Sequence, residues 1–161
     1  MGNMLEEIQE RFVSTFEIKD TEDVDTIVLA CISNRFIQLI QDFVKEDLGL
    51  EYYDLKTDAG AARNLDPKTR NFLVYKWIVD NFKICVNRHG ATKLIMFMHF
   101  DCGAYGGNES FKGFEDQLTK LTEAIKRGAE SIKKEFPQLE ISAYIMVLTD
   151  DTDGGILPVE L

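Results

Sequence analysis

Thiols and imidazoles are scarce in this sequence: three Cys and two His in 161 residues. Three of these five fall where apolar runs end. Cys31 lies at the end of Thr26 to Ile32, His99 at the end of Lys93 to His99, and Cys102 follows in a glycine-rich loop. Two thiols and an imidazole are the soft and borderline donors that Zn²⁺ takes in a tetrahedron. With only these three converging, a fourth position stays open, which marks a catalytic rather than a structural zinc site. A zinc ion in such a site lowers the pKa of a bound water from about 15.7 towards 7. Two thiolates neutralise the dication, so this water is acidified less than one held by three imidazoles. The remaining pair reads differently. Cys85 shares a helical face with Ile78 and Phe82 and is expected to pack in the core. His89, in the last turn before Gly90, is where a cation complements the helix dipole and is not counted as a ligand.

The elements around these residues alternate. Leu5, Ile8, Phe12 and Phe16 recur at helical spacing and predict an N-terminal arm over 3–17. Thr26 to Ile32 is a short β-branched run, as expected of a strand buried on both faces of a parallel sheet. Arg35 to Leu48 returns to helical periodicity and Gly49 ends it. Tyr52 to Thr57 predicts a second strand, and Asp66-Pro67 a helix start for a helix reaching His89. Lys93 to His99 is the third strand, 110–135 a long amphipathic helix, and Ile141 to Leu148 the fourth strand. Asp153-Gly154-Gly155 turns the tail back as an edge strand. The pattern predicts an α/β fold: a mostly parallel sheet of four strands plus an antiparallel edge strand, with helices on both faces. Residues 1–161 read as one domain. Ligands of such sheets sit beyond the carboxyl ends of strands. With strand order 2-1-3-4, Cys31 and the His99–Cys102 segment meet across one crevice.

Charge and composition remove other classes. There are 28 Asp+Glu against 18 Lys+Arg, a net charge of −10, which opposes binding to a phosphate backbone. An odd cysteine count argues against a disulfide framework and for a reducing compartment. The apolar runs are too short to span a bilayer, and Met1 to Arg11 lacks the core of a signal peptide, so a cytoplasmic location is expected. No Gly-x-Gly-x-x-Gly fingerprint occurs, and Ile37 stands where a Cys-x₅-Arg phosphatase loop needs its Arg. Asp150, Asp151 and Asp153 read as a solvated turn.

Cys31-Ile32-Ser33-Asn34-Arg35 and His99-Phe100-Asp101-Cys102-Gly103 resemble the two signature motifs of the β-class carbonic anhydrases, Cys-x-Asp-x-Arg and His-x-x-Cys-Gly. His99 to Gly107, HFDCGAYGG, looks like a divergent group of short carbonic anhydrases within that class. The resemblance implies zinc held by Cys31, His99 and Cys102, reversible hydration of CO₂ to bicarbonate, and a homodimer or higher homo-oligomer. It also implies catalytic roles for Ser33 and Arg35 and a place beside substrate for Gly60 and Gly103. Two positions depart from it. Ser33 stands for the family's Asp and cannot supply its negative charge or act as a base near neutral pH. Arg35 must then find its carboxylate elsewhere, at Asp58 or Asp101. Thr57 to Ala61 keeps only the central Ala-Gly of the family's Arg-Asn-Ala-Gly-Asn loop. Gly103, Gly106 and Gly107 serve either as N–H donors to an anion or as a tight turn. The alternatives are a non-catalytic zinc- or anion-binding protein, or a zinc hydrolase of a CO₂-like molecule such as carbonyl sulfide.

Overall fold

The computed structural model describes residues 8–9, 11, 13–14, 24–148 and 153–161. Most of the arm expected over 3–17, together with Asp150 and Asp151, lies outside them.

Two apolar strands form the centre. All of β1 (Thr26–Ala30) is buried, as is β3 (Lys93–His99) after its first residue. Alternate side chains of a strand point to opposite faces, so each strand feeds two cores. Val28, Ala30, Ile95 and Phe97 pack with Phe36 and Ile40 of α1 (Asn34–Asp42) and with Val44 of the π-helical turn that follows (Phe43–Asp47). Ile27, Leu29, Leu94, Met96 and Met98 pack with Ile78 and Phe82 of α2 (Phe72–Arg88) and with Leu121, Ile125 and Ile132 of α3 (Phe114–Glu135). Helices therefore cover both faces. β2 (Asp54–Thr57), β4 (Glu140–Leu148) and β5 (Gly154–Pro158) complete one sheet of order β2-β1-β3-β4-β5. The first four strands are parallel and β5 runs antiparallel to β4, as expected from the alternation and the tail turn. No helix among the described residues is long and apolar enough to cross a membrane.

Element boundaries differ from expectation where tertiary contacts intervene. β1 stops at Ala30, and Ile32 is exposed beyond it. The 35–48 helix divides at Phe43 into its π-helical turn. The largest shift is α2, which starts at Phe72 and not at Asp66-Pro67. Its cap is Asn71, whose side chain accepts from the N–H groups of Leu73 and Val74. Asp66 is committed elsewhere: fully buried, it accepts from Arg127 Nε at 3.0 Å and Nη2 at 2.8 Å and from the Lys68 N–H at 3.0 Å. This pair ties the loop before α2 to α3.

Burial alone raises the Asp66 pKa, but Arg127 and the Lys68 N–H outweigh it and hold the carboxyl below its ordinary value of 3.8. A depressed folded-state pKa contributes stability above the unfolded value and loses it as pH falls through the folded one. Asp66→Ala removes the buried partner of Arg127 and leaves it only the exposed Glu123, and is expected to cost about 3 kcal/mol in denaturant unfolding at neutral pH. The gap between wild type and variant should narrow on acidification below the ordinary aspartate range.

Candidate metal centre

The β1–β3 register, Leu29 beside Met96, sets the residue after β1 level with the last residues of β3. Cys31, His99 and Cys102 therefore meet, all buried, with their donor atoms within 4.8 Å of one another. The two sulfurs are 3.9 Å apart, hydrogen-bonded and not joined in a disulfide. Two sulfurs bound about 2.3 Å from a tetrahedral zinc lie about 3.8 Å apart, so the spacing suits a shared ion. His99 Nδ1 is 2.6 Å from the Phe100 carbonyl, while Nε2 is buried with no partner. A carbonyl can only accept, so Nδ1 carries the proton and Nε2 presents a lone pair. A buried lone pair without a donor is costly unless a cation meets it. Phe36 backs the imidazole, with ring centroids 4.5 Å apart.

The surroundings favour a thiolate at Cys31. Its pKa is lowered first by the hydrogen bond from Cys102, and further by the N–H groups of Gly60 and Ser33, against the opposing effect of burial. Cys102 is pushed up by the same sulfur contact and by burial. One proton thus belongs to the sulfur pair, and a divalent cation is the natural replacement for it.

Comparison with known proteins identifies the family and the fold. The family described as "Putative carbonic anhydrase" matches residues 21–148. The chain belongs to that family. Among the relatives of this carbonic anhydrase family member are two uncharacterized rickettsial proteins. One, from Rickettsia bellii, is 28% identical over 141 residues, covering 84% of each chain. The other, from Rickettsia conorii, is 26% identical over 140 residues, covering 84% of this chain and 74% of that one. The fold is similar to that of a carbonic anhydrase from Streptococcus mutans, with a TM-score of 0.57 at 17% identity over 99% of this chain and 96% of that one. It is also similar to a β-carbonic anhydrase of Trichomonas vaginalis, with a TM-score of 0.55 at 13% identity over 98% and 94% of the chains. The α/β fold is thus that of the β-carbonic anhydrases.

The other expected site residues fall around the three donors. Ser33 caps α1 through its backbone, and its side chain makes no capping bond. Arg35 turns to Asp101, not Asp58: Nη1 donates to Asp101 Oδ2 at 3.1 Å and Nη2 to its carbonyl at 3.0 Å. Asp58 pairs with Lys56 instead. Asp101 sits at φ 53°, a conformation Asp tolerates, and its Oδ1 accepts from the Asn108 N–H at 2.9 Å. That N–H, then Arg35, holds its carboxyl below the usual range against burial. Gly60 donates its N–H to Cys31 Sγ at 3.4 Å, which places it behind the sulfur. A Cβ on Gly103 would meet nothing within 4 Å, so its backbone stays open to a small ligand. Gly106, at φ 87°, supports the tight-turn reading, because side chains rarely adopt that backbone conformation and a Cβ there would meet Ser110 Oγ.

Two neighbours were not singled out from the sequence. Tyr105 has a buried hydroxyl without a partner, and Arg63 lies over its ring at 5.8 Å. The Ser33 backbone N–H to Cys31 was also missed, although a motif that leaves a strand for a helix offers such a donor.

Gly60 combines φ 80° with a Cβ position only 2.8 Å from Ala104 Cβ. Gly49, at φ 67° with nothing near, isolates the backbone cost. Gly49→Ala is expected to cost about 1 kcal/mol and Gly60→Ala about twice that, read by denaturant unfolding; equal costs would mean the close approach to Ala104 carries no weight.

Proposed function

We propose that the protein is a zinc-dependent carbonic anhydrase that reversibly hydrates CO₂ to bicarbonate. The observation that carries the reading is the unpartnered, buried His99 Nε2 facing two cysteine sulfurs 3.9 Å apart in a member of this family. Cys31, His99 and Cys102 are the ligands. When bound there, zinc supplies Lewis acidity that makes hydroxide available near neutral pH.

The chain's own groups do the rest. The Nδ1–H bond to Phe100 fixes the tautomer and orientation of His99. The N–H groups of Gly60 and Ser33 draw charge from the Cys31 thiolate, which offsets part of the neutralising effect of two sulfurs. Arg35 is the positive group of the site, aimed by its two bonds to Asp101. Its side chain is 41% exposed, so it can meet a bicarbonate ion leaving for water. Asp101, kept ionised, supplies from the second motif the carboxylate that position 33 lacks. Ser33 contributes a hydroxyl that accepts or donates one hydrogen bond to the ligand and no charge. The open Gly103 backbone borders the space for substrate, and Gly60 supports it from behind Cys31. The whole chain acts as one cytoplasmic unit, and a homodimer or higher homo-oligomer is supported by Phe72, Leu73 and Trp77, large and exposed along the first turns of α2.

A second reading, a zinc protein without catalysis, is favoured by Ser33 alone. Stopped-flow CO₂ hydration by zinc-loaded protein separates the two: the proposal expects a rate well above buffer, and full zinc with a buffer rate overturns it. Asp101→Asn should lower that rate at least about tenfold with zinc content unchanged, because Arg35 loses a charge-assisted partner. Ser33→Asp should change it far less, since Arg35 already has its carboxylate. A large gain in Ser33→Asp would show that Asp101 does not fill the role.

A further inference from the structure

A second set of mixed donors lies at the other end of the sheet. Asp54 opens β2, while Cys85 and His89 stand four residues apart at the end of α2 and so share one helix face. A carboxylate oxygen, a sulfur and an imidazole nitrogen from these residues all lie within 4.8 Å of one another, each half-buried. Asp54 is level with Ile27 on β1, four residues before Cys31, which separates this cluster from the first centre by roughly 13 Å along the strand.

The contacts within the cluster converge on one point. His89 Nδ1 is 2.8 Å from Asp54 Oδ2. The Cys85 sulfur lies within 4.8 Å of the ligand atoms of both. A helix-ending imidazole paired with a carboxylate satisfies the dipole without help from a sulfur, yet a sulfur lies beside the same pair. The carbonyl end of the seventeen-residue α2 adds a partial negative charge here, which favours a cation.

We propose that Asp54, Cys85 and His89 form a second divalent-metal site, for zinc or a cation of similar softness. Sulfur, nitrogen and oxygen in one tripod is a donor set that zinc accepts. On binding, the Cys85 thiol proton passes to solvent and the metal takes its place between sulfur and carboxylate. The ion joins the start of β2, the edge strand of the sheet, to the end of α2. Its role is to fasten that edge and not to take part in CO₂ chemistry.

The test is metal counting on the full chain, stripped with a chelator, reloaded and desalted. Wild type should carry two zinc ions per chain. The variants Cys31→Ser/Cys102→Ser and Cys85→Ser/His89→Gln should each carry one. With Co²⁺ in place of zinc, the first variant should still show thiolate-to-cobalt absorption, which only Cys85 can then supply, and added metal should raise its melting temperature. The milder variant His89→Gln, with the thiol and carboxylate intact, should bind the second ion at least about tenfold more weakly while circular dichroism stays unchanged. One zinc in wild type, none in the natively folded Cys31→Ser/Cys102→Ser variant and no cobalt band there would overturn the second site. One zinc in wild type that survives in that variant and is lost in Cys85→Ser/His89→Gln would uphold the second site and overturn the first centre.

Discussion

β1 and β3 lie side by side in parallel, each buried on both faces, and the rest of the molecule follows from that pairing. A strand buried on both faces has no freedom to slip, because a one-residue shift would exchange its two side-chain sets. Val28 and Phe97 would then leave the α1 side for the α2 and α3 side, where Leu29 and Met96 now pack. The register that satisfies both cores also sets Cys31 beside His99. Two sulfurs and a nitrogen are thereby held together by core packing, at a cost in desolvation that an unpaired donor set would leave uncompensated. The fold supplies the proximity, and a cation in the centre would repay the burial.

Charge around that centre is distributed in an unusual way for its motifs. The first motif carries Ser33 in place of a carboxylate, and the second carries Asp101 two residues after His99. The structure joins the motifs through Arg35, which reaches across to Asp101 and its carbonyl. A guanidinium held by two bonds is pre-aimed, and an exposed pair of this kind adds little to stability, so its value lies in positioning. The left-handed φ at Asp101 and the N–H of Asn108 fix the carboxylate from the other side.

Much of this was legible in the order of residues. Apolar runs marked β1, β3 and β4, and cysteine and histidine at strand ends marked the centre, because both signals are local. What failed was decided at a distance. Asp66-Pro67 has the form of a helix start, but Asp66 is consumed by Arg127 of α3, sixty-one positions away. The choice between Asp58 and Asp101 as partner of Arg35 turned on Lys56, which takes Asp58. Asp54, Cys85 and His89 gave no joint signal, since β2 and the end of α2 meet only through the sheet. Gly60 looked like part of a ligand loop, and only the packing of its N–H behind Cys31 shows what it touches.

The central claim is that the β1–β3 register builds a zinc centre from Cys31, His99 and Cys102. A crystal of zinc-loaded protein, with anomalous differences collected at the zinc edge, tests it directly. The account predicts a peak about 2.3 Å from both sulfurs and about 2.0 Å from His99 Nε2, with Nδ1 still on the Phe100 carbonyl. Density between the two sulfurs as a disulfide, or full zinc elsewhere with none at His99 Nε2, would contradict it.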